Sequence, residues 1–283
     1  MKIFYSPRCL SYKQPGHPES PERIEATVKL LEQEGFPFFS PASCTEEDLL
    51  SVHSPRHISA VREGVFFDPD TPFFPEIYDI ACLSAGSAIC AMESVSQGEN
   101  AFSLMRPPGH HATRDRVMGF CYFNNIAVAT ALYIKKHPGS RIAILDIDVH
   151  HGNGTQDIFL GNPQVLFVSL HQNPLYPGTG LEWQKNCVNF PLPPFTGNEE
   201  YLNTLEKACE LIKKFEPSCL AISAGFDTCK SDPLSQFQLS VSAYKEIGEK
   251  IQSMGFPIFA VLEGGYGPDF PWCVLEFLQG LKI

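Results

Sequence analysis

Five short apolar runs, at residues 101–105, 142–147, 165–170, 220–224 and 258–262, set the tightest limit on what this chain can fold into. Each is too short for a helix and too continuously apolar for a strand with one wet face. Each therefore reads as a strand buried on both sides. The stretches between them carry helical periods. Pro21 suits a first helical position with Ser20 as its cap, Ile24, Val28 and Leu31 follow on one face, and Gly35 stops the helix. Asn198 opens a second helix striped by Tyr201, Leu205, Ala208 and Ile212. Ser240 opens a third striped by Val241, Tyr244, Ile247 and Ile251. The alanine-rich stretches 81–95 and 125–136 read as buried helices. Strands alternating with helices predict an α/β fold: a mostly parallel, multi-stranded sheet flanked by helices, with residues 1–283 as a single domain.

The residues that follow the runs are unusual. The first gives way to "RPPGHHA", the second to Asp146, Asp148, His150 and His151, the third to Ser169 and His171, the fourth to "GFDTC" and the fifth to "EGGYG". In open parallel sheets the carboxyl ends of the strands border the ligand crevice. Five segments distant in sequence are thus expected to converge on one site.

Bulk properties narrow the class. No apolar run approaches the roughly 18 residues that a membrane span requires, and the opening "MKIFYSPRCL" lacks the apolar region of a signal peptide. The expectation is a soluble, cytoplasmic protein with no membrane partner. A formal charge of −11 argues against direct nucleic-acid binding. It would suit a cationic partner, although solubility alone accounts for it. The ten cysteines form no C-x-x-C pair, and Cys82, Cys90, Cys209 and Cys219 sit within apolar segments, which predicts free thiols in a reducing compartment.

In an extended segment Asp148 and His150 project to the same side. Asp227, at another strand end, would complete a set of three. Two carboxylates and an imidazole, with no cysteine, suit catalytic zinc with a fourth position open to water; ferrous iron fits the same donors. The plainer reading makes Asp148 and Asp227 helix caps and His150 a core histidine. His110 and His111, on a loop stiffened by prolines, can exchange protons with an activated water, and Asp146 can hold one imidazole. Alternatively they are further ligands, or loop residues without a role. Tyr266 can donate its hydroxyl to an oxyanion, or simply pack.

Together "HPESPERI" at 17–24, "RPPGHHA", "GFCYFNN" at 119–125, "LDIDVHHGNGTQ", "SAGFDTCKSDPL" at 223–234 and "LEGGY" resemble, in order, the motif series of the zinc-dependent histone deacetylases of the arginase–deacetylase superfamily. Glu263 and "HHGNGTQ" resemble the class II branch and its bacterial relatives. The resemblance implies zinc on Asp148, His150 and Asp227 and hydrolysis of an acyl-amide. It implies His111 as general base and then acid, oriented by Asn153, His110 with Asp146 as electrostatic support, and Tyr266 as oxyanion donor. It further implies a potassium ion on Asp146, Ser169 and the carbonyls of Asp148, His150 and Leu170. Phe120 and Tyr176 would wall a tunnel for a methylene chain, the Gly119 carbonyl would accept the substrate N–H, and Asp70 would hold a peptide backbone at the rim.

Leu234 falls where polyamine-cleaving relatives of the branch carry a glutamate. The expected substrate is therefore acyl-lysine in peptides or proteins, the alternative acetylpolyamine or another small acylamine. A non-catalytic acyl-lysine-binding protein is less favoured, because Tyr266 and the ligand set are all present. An arginase-type dinuclear manganese site would need a further carboxylate where Cys229 stands. The oligomeric state is left open.

Overall fold

Burial on both faces is what turns the five apolar runs into the inner strands of one sheet. The computed structural model describes residues 1–281. In chain order it contains β1 (Lys2–Phe4), a 3-10 turn (Pro7–Leu10), α1 (Pro21–Gln33), β2 (Phe38–Phe39), α2 (Glu46–Leu49), α3 (Pro55–Glu63), α4 (Ile77–Ser96), β3 (Ala101–Ser103) and α5 (Asn125–Lys136). Then follow β4 (Ile142–Asp146), α6 (Asn153–Phe159), β5 (Val165–Gln172), β6 (Cys187–Leu192), α7 (Asn198–Phe215), β7 (Cys219–Ala224), α8 (Ala243–Gln252), β8 (Ile258–Leu262) and α9 (Phe270–Gly280). The strands form one eight-stranded sheet in the order β2-β1-β3-β8-β7-β4-β5-β6, and every pairing is parallel. Every residue of β3, β4, β7 and β8 is buried, as a sheet covered by helices on both faces requires. α4 packs across β1, β3 and β8 and against α5; α1, α9, α8 and α7 pack in succession, and α7 reaches β5. No helix among the described residues is long and apolar enough to cross a membrane.

Some element boundaries differ from the sequence expectation, for local reasons. α8 begins at Ala243 because Ser240 is already engaged: Asn198 Nδ2 donates to its hydroxyl at 2.9 Å and its N–H donates to Asn198 Oδ1 at 2.9 Å. Ser20 makes no side-chain cap bond, so Pro21 alone sets the start of α1. α4 begins at Ile77, ahead of its alanine-rich part. Three strands had no sequence signal. β1 and β2 have three and two residues, and β6 is broken by Asn189 and Pro191. β2 and β6 are the sheet edges, where an apolar run is not required.

Register positions the site. Ser103 pairs with Val261, Val261 with Ser223, Ser223 with Asp146 and Asp146 with Ser169. One row of residues therefore crosses β3, β8, β7, β4 and β5, and the five segments beyond it leave the sheet side by side.

Candidate active site

The β4 strand ends at Asp146, and residues 148–150 form a bend. Alternation along a strand is therefore not what brings Asp148 and His150 together. The carboxylates build the bend themselves. Asp146 Oδ1 accepts the Asp148 N–H at 3.1 Å, Asp148 Oδ1 accepts the His150 N–H at 2.9 Å, and Asp227 Oδ1 accepts the Val149 N–H at 2.8 Å. Asp148, His150 and Asp227 each offer a ligand atom, all within 4.8 Å of one another. Glycine is required on two sides: a Cβ at Gly225 would fall on Asp148 Oδ2, and one at Gly264 on Asp227 Oδ2 and Asp148 Oδ2.

The cluster is short of positive charge. Burial pushes the Asp227 carboxyl up to about 7. Burial opposes a charge on His150, yet contacts with Asp148 and Asp227 carry it up to about 10. Asp227 Oδ2 is buried with no hydrogen-bond partner, 3.2 Å from His150 Nδ1. An orphaned carboxylate oxygen is costly in such surroundings. Two oxygens and one imidazole nitrogen around it are the donor set of a catalytic zinc site with an open position.

The tandem histidines lie on the loop after β3. His110 Nδ1 donates to Asp146 Oδ2 at 3.0 Å, and its Nε2 lies 3.8 Å from Asp148 Oδ1. Burial disfavours its charge, but Asp146 and Asp148 outweigh that and carry it up to about 10. His111 Nδ1 bonds Asn153 Oδ1 at 2.7 Å. That oxygen only accepts, so Nδ1 carries the hydrogen and Nε2 keeps its lone pair. Burial, reinforced by His110 and His150, pushes His111 well below the ordinary histidine value. Two adjacent imidazoles with ring centroids 4.0 Å apart are thus pushed in opposite directions.

A cavity of about 250 Å³ joins these groups to the surface, lined by His110, His111, Asp148, His150, Tyr266, Gly119, Phe120, Tyr176, Leu234 and Asp70, together with Pro108, Leu175 and Gly264. A larger groove of about 800 Å³ along β6 and α7 contains no histidine. Tyr176 stands edge-on to His111 at 5.1 Å and Phe120 edge-on to Tyr266 at 5.7 Å. Phe120 adopts φ 71°, a costly conformation for a bulky residue. Its N–H donates to Thr71 Oγ1 at 2.8 Å, and Thr71 donates in turn to Asp68 Oδ2 at 2.6 Å. The Gly119 carbonyl accepts the Cys121 thiol at 3.3 Å. Asp232 Oδ2 accepts the N–H groups of Tyr266 at 2.6 Å and Gly267 at 3.1 Å, while the Tyr266 hydroxyl has no hydrogen-bond partner among the described residues.

Asn153, Asp146 and Asp227 sit behind the cavity wall. Ser169 Oγ is 2.9 Å from His171 Nδ1, and Leu170 is buried beside it in β5. Thr71 and Asp232 carried no sequence signal, because a threonine in "DPDTP" and an aspartate in "KSDPL" read as turn residues.

Residues 17–281 match the histone deacetylase domain family. A probable deacetylase of Methanothermobacter thermautotrophicus is 40% identical over 299 residues, 99% of this chain and 90% of its own. Acetylpolyamine amidohydrolase 1 of Pseudomonas aeruginosa is 41% identical over 215 residues, 72% of this chain and 62% of its own. The crystal structure of acetylpolyamine aminohydrolase from Burkholderia pseudomallei superposes with a TM-score of 0.92 at 27% identity, covering 99% of this chain and 98% of that one.

Proposed function

Because the chain belongs to the histone deacetylase domain family, it is an amidohydrolase of the deacetylase type, and we propose that its substrate is a small N-acetylated alkylamine of the acetylpolyamine class. The observation that carries the chemistry is the convergence of Asp148, His150, Asp227, His111 and Tyr266 at the end of one narrow cavity. The likeness to two acetylpolyamine amidohydrolases of Pseudomonas aeruginosa and to the Burkholderia structure supports the substrate class, over the acyl-lysine side chain that the sequence favoured.

Asp148, His150 and Asp227 would hold zinc, which when bound polarises the amide carbonyl and acidifies a water. His111, neutral and with a free Nε2, takes the proton of the attacking water and later delivers it to the leaving nitrogen. Asn153 fixes the tautomer that this requires. His110 gives its Nδ1 hydrogen to Asp146, which favours its charged form, and acts electrostatically. The Tyr266 hydroxyl donates to the carbonyl oxygen as negative charge develops there. Phe120 and Tyr176 bracket the methylene chain, the Gly119 carbonyl receives the substrate N–H, and Asp70 with Leu234 forms the rim. The same reading assigns potassium to Asp146, Ser169 and the Leu170 carbonyl, hard oxygen donors beside the metal centre.

Leu234 favours a second reading, acyl-lysine in a peptide, because it places a hydrocarbon side chain against the cavity where a cationic amine would gain from a carboxylate. The test is kcat/KM for acetylspermidine against an acetyl-lysine peptide on one zinc-loaded sample. Preference for acetylspermidine is expected. Preference for the peptide overturns the substrate class and leaves the chemistry standing.

A further inference from the structure

Glu263 is fully buried, has no ion-pair partner among the described residues, and takes no part in the mechanism above. Its surroundings are specific. Oε2 accepts the Gly109 N–H at 2.7 Å and the His110 N–H at 3.1 Å, and Oε1 bonds the Ser223 hydroxyl at 3.0 Å. One side chain thus ties the tandem-histidine loop to the ends of β7 and β8. The backbone that follows continues the junction: the Gly264 N–H donates to Asp148 Oδ2 at 2.8 Å, and Tyr266 comes two residues later.

We propose that Glu263 is a positioning residue whose carboxyl oxygen fixes the tandem-histidine loop in register with the Tyr266 segment and the metal ligands. The inference rests on the roles given to His110, His111 and Tyr266. The loop N–H groups are buried donors that need an acceptor, and no backbone carbonyl is bonded to either. Burial raises the Glu263 carboxyl to about 7. A proton on Oε1 would leave Oε2 an acceptor and turn the Ser223 contact round, so the anchor holds in either state. Its work is hydrogen bonding at a fixed reach, with charge incidental.

Two substitutions separate these terms. Glu263→Gln keeps an oxygen for the loop, gives its NH2 to Ser223, and removes the charge. Glu263→Asp keeps the charge and withdraws the acceptor by one methylene. Ser223→Ala removes the contact on the far oxygen and controls for stability. In the zinc-loaded enzyme Glu263→Gln is expected to hold kcat within about threefold. Glu263→Asp should lose about 10- to 100-fold in kcat at unchanged KM and metal content, since a misplacement near 1 Å can cost about 10²-fold. Ser223→Ala should stay within about twofold.

Amide exchange at Gly109 and His110, measured in parallel, should accelerate only in Glu263→Asp. Loss in Gln with retention in Asp would make charge the operative term and overturn the proposal, as would equal losses in Asp and Ser223→Ala. Exchange is independent of turnover. A wild-type enzyme inert on acetylated amines but with protected Gly109 and His110 amides would refute the functional reading and leave the anchor intact.

Discussion

At and behind the floor of the cavity Asp146, Asp148, Asp227 and Glu263 are all 0% exposed, whereas at its mouth Tyr176 is 38% exposed. Floor groups are bonded to backbone donors from several strand ends, so each position is determined more than once. The mouth residues Asp70, Tyr176 and Leu234 stand on loops outside the regular elements, and Phe120 is joined to the first of these loops by its N–H to Thr71 Oγ1. The difference separates the two halves of the function. On the proposed reading, reaction type is written into a desolvated site, while substrate choice falls to the more exposed loops around its mouth.

The largest test of this division strikes the floor. Asp227→Asn keeps the shape and, through Oδ1, the Val149 contact, but removes the charge and replaces the orphaned Oδ2 with an NH2 that cannot ligate a metal. A metal ion supplies several kcal/mol of transition-state stabilisation, so kcat/KM should fall by about 10³-fold or more, and metal analysis should show zinc lost with it. Full activity with a full zinc content would remove Asp227 from the ligand set. Next comes the proposed oxyanion donor. Tyr266→Phe should retain zinc and lose about 10²–10³-fold in kcat, the worth of one oxyanion donor. An unchanged kcat would return Tyr266 to a packing role.

The same division governs what could be read in advance. The strands buried on both faces, β3, β4, β5, β7 and β8, were legible because burial forces continuous apolar runs, and the polar residues after them stood out against that background. The pairing of Asp148 with His150 was legible for the wrong reason: residues 148–150 form a bend built by carboxylates accepting backbone N–H groups, an interaction with no periodic signature. Ser240 illustrates a similar limit, since its cap signal was diverted by Asn198, 42 residues away. The roles of Asn153, Ser169 and Gly119 came only through likeness to a known motif series. Edge strands and mouth loops left little trace because solvent exposure relaxes the demand on residue type.

The smallest test acts at the mouth, on Leu234. A carboxylate there faces open water on one side, since Leu234 is only partly buried, and exposed ion pairs are worth about 0.2–1 kcal/mol. Leu234→Glu should therefore raise the ratio of kcat/KM for acetylspermidine over an acetyl-lysine peptide by no more than about fivefold. The gain should fall as salt is added, because the Debye length shortens to about 8 Å at physiological ionic strength. Zinc content and the rate on a neutral acetylated alkylamine should not move. A salt-independent change, or one that also alters turnover of the neutral substrate, would mean that residue 234 reaches the floor and that mouth and floor are coupled. No change in the ratio would shift the amine-sensing role to Asp70, the carboxylate already at the mouth.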